Sequence, residues 1–296
     1  MYHRIGADTF DPWGLSVEKG RFASQVEWLA GQRTVLPLDG FAKAHREHRL
    51  PPDAVALTFD DGYASILDAV ALLDRHGLHA TVYLPVELIE RGRAFWWDEL
   101  ARMVIGWPGN ALLLDGVRSP VPPAHEQDRF WLPDVPPRTP RQKLFQSLWS
   151  RLHALHGQAL ESAMAQLRRQ SAVEPNAMDG PLTPEQARSI SPSTITFGSH
   201  GLTHPSLPTL SDKEKLREIS QSRARCASLT GTAPATFAYP FGDFDEASIR
   251  LVAQAGYTCA CATGEAFVAK QSGPFVLPRL RVGNWDAGYL RDMLGG

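Results

Sequence analysis

Residues 55–84 hold this chain to one kind of architecture. An apolar run of buried-strand length, Val55 to Phe59 in the numbering, leads into Asp60-Asp61-Gly62, then a helix-like segment over 64–75 stopped at Gly77, then a second apolar run over 80–84. Two continuous apolar strands joined by a helix form a β-α-β unit, and such strands lie parallel because the crossover brings the chain back to the same end of the sheet. The rhythm resumes downstream, where 194–197, 235–239, 257–262 and 275–277 read as strands and 212–229 and 245–255 as helices between the middle ones. Nearer the N terminus, 22–29 has helical periodicity and 35–38 reads as a short strand. A barrel-like parallel sheet covered by helices is the architecture this predicts.

Residues 95–191 interrupt the pattern with prolines at 121–123 and 133–140, followed by helical segments over 141–156 and 158–170. They read as an insertion, so the expectation is a single domain over 1–296 carrying an inserted subdomain at about 95–191. A chain of 296 residues with 43% hydrophobic content can bury such a core. Its formal net charge of -2 supplies no field to recruit nucleic acid or an anionic membrane surface. No apolar run is long enough to span a bilayer, and Met1-Tyr2-His3-Arg4 lacks the apolar stretch of a secretory signal, so the chain as written reads as cytoplasmic. The strand ahead of Tyr2 is nearly absent, which reads as a truncated start; a leader ahead of it would change that location. Cys226, Cys259 and Cys261 have neither zinc-finger nor disulfide-framework spacing and are expected as reduced, buried thiols. Oligomeric state is not written in the sequence.

Asp60 and Asp61 emerge at the C-terminal end of an apolar strand, the edge at which α/β sheets build sites. Two adjacent anions repel, and a cation bound to one leaves the other to act as a base. A plain Asp-Asp-Gly turn is the structural alternative. Ser199-His200-Gly201-Leu202-Thr203-His204-Pro205 also follows a strand, with its imidazoles four residues apart, a spacing that a helical turn would bring onto one face. Two imidazoles and one carboxylate make a three-ligand site with open positions, suited to one divalent ion, zinc first, with cobalt, nickel, iron or manganese also compatible. At a third strand end, Tyr239-Pro240-Phe241-Gly242 forms a turn that can present backbone N–H groups to a developing oxyanion.

In order and spacing, these three motifs resemble those of the NodB-homology polysaccharide deacetylases, carbohydrate esterase family four, over residues 58–84 and 197–282. The resemblance implies a distorted (β/α) barrel, here with a helical insertion, and metal-dependent hydrolysis of N-acetyl groups from amino sugars of a polysaccharide or glycan intermediate. It makes Asp60 the general base, Asp61, His200 and His204 the metal ligands, and the Phe241 N–H an oxyanion donor. The segment between the matched stretches is similar to an insertion of exopolysaccharide-associated members.

The chain departs from the family pattern in three places. Gly201 stands where Ser or Thr is usual, and Ala238 where an Arg usually holds the base, for which Arg279 is the candidate replacement. No histidine follows His204 to protonate the leaving amine, and His3, at the end of a first-strand remnant, is the candidate for that role. Phe95, Trp96 and Trp97 open the insertion as sugar-stacking or core residues, and Tyr63, Trp131 and Trp285 are further groove candidates. Two other functions stay open: a metal-containing glycan-binding module of weak activity, and a hydrolase of small cyclic amides or of a lipid-linked sugar.

Overall fold

A computed structural model describes residues 1–8, 10–131, 135–171, 173, 176 and 179–295. The chain divides into two compact units. The first comprises Met1–Ala7, Leu15–Gly92 and Pro181–Gly296, and the second comprises Asp8–Gly14 and Arg93–Gly180. The break after Gly92 lies close to the expected start of the insertion. The return at Pro181 comes ten residues earlier than 191, and the segment Asp8–Gly14 had no signature in the sequence.

The first unit opens with β1 (Arg4–Ile5), β2 (Ser16–Val17), α1 (Lys19–Gln32), β3 (Thr34–Val35), α2 (Leu38–Arg46), β4 (Ala54–Val55) and β5 (Leu57–Phe59). It continues with α3 (Ile66–Arg75), β6 (Ala80–Leu84) and α4 (Val86–Arg91). The expected strand over 35–38 keeps only Val35 in β3, because the chain leaves the strand at Leu36 and Pro37 caps the start of α2 at Leu38. The run over 55–59 is split at Ala56, since β4 pairs with β3 whereas β5 pairs with β6.

In the second unit, α5 (Trp96–Ile105) is followed by an antiparallel hairpin of β7 (Ala111–Leu114) and β8 (Val117–Pro120), then by α6 (Pro140–His153) and α7 (Gly157–Arg168). Arg141 is buried in α6, and its guanidinium donates to the carbonyls of Val104, Ile105, Trp107 and Pro122, satisfying the C-terminal end of α5. Phe95 and Trp97 stack at 4.8 Å, and both Trp96 and Trp97 are buried, so core packing occupies them. Trp131 is buried as well. Of the proline-rich stretch, 132–134 lie outside the described residues.

The first unit resumes with α8 (Pro184–Ser189), β9 (Ile195–Ser199), α9 (Asp212–Thr230), β10 (Thr236–Ala238), α10 (Glu246–Gln254), β11 (Cys259–Cys261) and α11 (Ala287–Met293). Ser211 with Glu214 forms a capping box at the start of α9, and Asp245 with Ser248 does the same for α10. In this unit β5, β6, β9, β10 and β11 form one curled, all-parallel sheet in the order β11-β10-β9-β6-β5, while β1 pairs with β2 and β3 with β4 in separate two-stranded sheets.

Irregular backbone continues this sheet at both edges. Tyr2 bridges Phe59 in parallel, Leu277 bridges Cys261 in parallel, and the Met1 carbonyl accepts from Val282 N–H at 2.9 Å. The expected strand over 275–277 is thus a single bridge, which suffices to lead the chain across the gap between β11 and β5. Tyr83, Ala238, Cys259, Cys261 and Leu277 pack with Leu38 and Ala42 of α2 as one core cluster. Val82 and Leu84, the neighbours of Tyr83, belong to another cluster, with α1 and α3. That alternation is the period of two by which one strand face looks inward and the other toward the helices.

Candidate active site

The C-terminal ends of β5 and β9 bring four titratable side chains together. Asp60 and Asp61 follow β5 directly, and both are buried. Asp61 takes a left-handed backbone (φ 67°), and Gly62 follows at φ 68°. A Cβ on Gly62 would meet Leu84 Cδ2 at 2.5 Å, so at this φ any other residue would be strained and would have to displace Leu84.

Both histidines are buried, and they reach the site by a route other than the helical turn their spacing suggested. His200 comes just after β9, and His204 sits at φ 59° at the end of a bend. The four-residue spacing is spanned by a loop whose residues are fixed from outside, so helical periodicity is not what joins the two rings. His204 Nε2 lies 3.2 Å from His200 Nε2 and 3.2 Å from Asp61 Oδ1, and His200 Nε2 lies 3.6 Å from the same Asp61 oxygen. Ligand atoms at 2.0–2.2 Å from a tetrahedral zinc ion stand roughly 3.3–3.6 Å apart, so this triangle has the size of three corners of such a shell. His200 Nδ1 lies 2.7 Å from the Ala238 carbonyl, which makes Nδ1 the donor and leaves the Nε2 lone pair facing the triangle.

The electrostatics agree with a cation at that place. Burial pushes Asp61 above the ordinary carboxyl range, with Asp60 adding to the rise. Burial, then His204, brings His200 down to about 4, which keeps its ring neutral and able to donate a lone pair. Asp61, His200 and His204 therefore fit a divalent ion in donor type and spacing.

Asp60 lies beside this set, its Oδ2 3.9 Å from His200 Nε2, and is held by a different group. Its Oδ1 accepts from Arg279 Nη1 and its Oδ2 from Arg279 Nη2, each at 2.7 Å. Arg279 is itself buried, donates to Thr58 Oγ1 and the Ala262 carbonyl, and lies over the Tyr83 ring at 5.5 Å. Burial alone would raise the Asp60 carboxyl, but the Arg279 charge and hydrogen bonds, with His200, hold it well below the usual range. Ala238, at the position where the family pattern has an arginine, instead packs in the core cluster with Tyr83.

His3 is half-buried next to Tyr2, where burial lowers its pKa and the carboxylates of Asp61 and Asp60 oppose that fall. The Phe241 ring meets His204 edge-on at 4.5 Å, and its backbone is left-handed at φ 59°. Among the described residues six non-glycines have positive φ, and three of them, Asp61, His204 and Phe241, meet here; strained backbone gathers where geometry is functionally fixed. Of the groove candidates, Tyr63 is buried at 0% exposure and bridges Pro181, while Trp285 is half-buried against the core. Sequence reasoning gave no role to Thr58, Tyr83 and Glu218, which touch Arg279 or the histidine loop.

The polysaccharide deacetylase family pattern matches residues 47–106 and 154–260, more than half of the chain. YxkH of Bacillus subtilis (strain 168), which carries the name polysaccharide deacetylase, is 30% identical over 87 residues, 28% of this chain and 30% of that protein. The match thus spans less than a third of that relative's length. Among solved structures, the Streptococcus pyogenes deacetylase PplD in complex with acetate has a TM-score of 0.64 at 16% identity, over 100% of this chain and 96% of that one. A de-N-acetylase from Aggregatibacter actinomycetemcomitans has 0.59 at 15%, over 99% and 97%, and IcaB from Ammonifex degensii has 0.59 at 14%, over 100% and 95%. At such identities the likeness is one of fold, and it makes the curled parallel sheet that of the deacetylase (β/α) barrel. With its family pattern spread over both motif-bearing stretches, the chain belongs to the polysaccharide deacetylase family.

Proposed function

We propose that this chain hydrolyses N-acetyl groups from amino sugars of a polysaccharide or glycan intermediate, releasing acetate and leaving the free amine. Asp61, His200 and His204 hold one divalent ion, zinc first among the candidates. The observation that carries the reading is that two adjacent carboxylates have different partners. Asp60 is clamped by a buried guanidinium, and Asp61 faces two imidazoles. Adjacent acids driven into different environments take different roles.

When bound, the ion supplies Lewis acidity toward the acetyl carbonyl and toward water. Asp60, kept ionised by Arg279, accepts the proton of the attacking water. The Phe241 N–H donates to the oxyanion, and the edge of its ring holds His204 in place. His3, beside both carboxylates, delivers a proton to the departing amine. The fold shared with a protein named de-N-acetylase and with one solved with acetate supports the same chemistry.

Acetate release from N-acetylglucosamine oligomers tests this, using metal-stripped protein and then protein resupplied with zinc, cobalt, nickel or manganese. Restored release is the expected result. Stoichiometric metal binding without release from any oligomer favours the glycan-binding module, and a ring-opened product in place of acetate favours the cyclic-amide hydrolase.

A further inference from the structure

Taking the metal reading above as its premise, we infer that Glu218, on α9, is a positioning residue that sets the affinity of the metal site by holding the loop between its two histidines. The loop 201–203 makes few of its own bonds. Its Gly201 and Leu202 carbonyls accept from Val86 and Glu87 N–H groups at 3.2 and 3.0 Å, which fixes one side. The other side is held by one carboxylate: Glu218 Oε2 accepts from Leu202 N–H at 2.8 Å and Thr203 N–H at 3.0 Å, and Oε1 accepts from the Thr203 hydroxyl at 2.9 Å.

The placement of that carboxylate follows from the helix period. Glu218, Ser222 and Cys226 recur every four residues, so α9 lays one face along β9 and the loop after it. Ser222 shares a hydrogen bond with Ser199 at 2.7 Å, and Cys226 Sγ reaches the Gly198 carbonyl at 3.9 Å. Glu218 is the member of this row that meets the loop. It is buried, so its charge has given up water, and the three donors are what replace it.

Gly201 completes the arrangement. It has φ 77°, and a Cβ there would come within 3.3 Å of Glu218 Oε2. A side chain at 201 would therefore crowd the Glu218 carboxylate, and the hydroxyl that donates to that carboxylate comes from Thr203. Without the clamp, the loop can relax from the left-handed geometry at His204, and the 3.2 Å separation of the two Nε2 atoms is lost.

The test is zinc affinity by competition against a chromophoric chelator, for wild type, Glu218→Gln, Thr203→Val and Thr203→Ser, with kcat read at saturating metal. Partners of metal ligands typically contribute 10–100-fold in affinity, and a loss in that range is expected for Glu218→Gln, with kcat at saturating metal largely retained. Thr203→Val is expected to weaken zinc less, and Thr203→Ser to bind as wild type. Should Glu218→Gln fail to fold, the Thr203 pair decides. Wild-type affinity in a folded Glu218→Gln, or equal affinity for Thr203→Val and Thr203→Ser, overturns the inference. A wild type that binds no metal overturns the premise instead, so the two failures are distinguishable.

Discussion

Both Nη atoms of Arg279 bind both oxygens of Asp60, at 2.7 Å each, across 219 positions of sequence. The pair closes the distance between the last irregular segment of the barrel and the end of β5. It also fixes the plane of that carboxylate.

Removing this partner leaves a buried carboxylate whose burial acts without its largest opposing charge. For Arg279→Ala the Asp60 carboxyl is expected to rise by about 1–3 pH units, the size of a close arginine's effect. The acid limb of the kcat/KM profile at saturating metal then moves to higher pH. Arg279→Lys, which supplies the charge without the fork, is expected to move it less. A pH–rate series on the three proteins checks this, and an unmoved acid limb in Arg279→Ala argues against Asp60 as the base.

Metal removal has a thermodynamic signature independent of turnover. An ion that binds only the folded chain stabilises it by about 2.7 kcal/mol when present at 100 times its Kd. Chelation is expected to lower the thermal midpoint of the wild type, and zinc to restore it. In His200→Ala, His204→Ala and Asp61→Asn the response to zinc shrinks or vanishes. A differential scanning titration reads it directly.

Gly198 tests the packing under the site. It pairs with Tyr83 across β9 and β6, and a Cβ added to it would fall inside the van der Waals envelope of the Tyr83 ring and 2.9 Å from Thr236 Oγ1. The ring cannot move freely because Arg279 lies over it. Gly198→Ala is expected to cost about 1–3 kcal/mol, as overpacking does. It is also expected to lower kcat through the Arg279–Asp60 pair, which denaturant unfolding and steady-state kinetics together detect.

Away from the site, Asp245 caps α10 and pairs with Lys215. Burial raises its carboxyl, but the Lys215 and Ser248 hydrogen bonds prevail and bring it down to about 2. A depressed folded pKa contributes stability above the unfolded value of about 3.9 and loses it as pH falls toward 2. The Asp245 side chain is 36% exposed, so solvent screening limits the contribution to about 1 kcal/mol. Asp245→Asn is expected to flatten the fall of the unfolding free energy between pH 4 and pH 2, read from urea titrations, by about that amount.

What the sequence made legible depended on how local each signal was. Asp60-Asp61-Gly62 and the two histidines are short motifs attached to apolar strands, so both their identity and their sheet edge could be read. The conformation joining His200 to His204 could not, because spacing of four is shared by a helical turn and by a loop whose second histidine is left-handed. Arg279 drew attention only because Ala238 stood where a cation was needed; its partner Thr58 and the ring of Tyr83 carry no such marker. Glu218 was invisible for a different reason. It lies in a charged stretch, Lys213 to Glu218, whose local pattern matches that of any solvated helix face. Segment Asp8–Gly14 was missed because its affiliation with the second unit is a long-range matter.

The division of labour between the two aspartates is most directly tested by one protein, Asp60→Asn, assayed for bound zinc and for acetate release in the same sample. Stoichiometric zinc with nearly all turnover lost is the predicted result. Turnover close to wild type with zinc bound would contradict the account, since another group would then be accepting the proton.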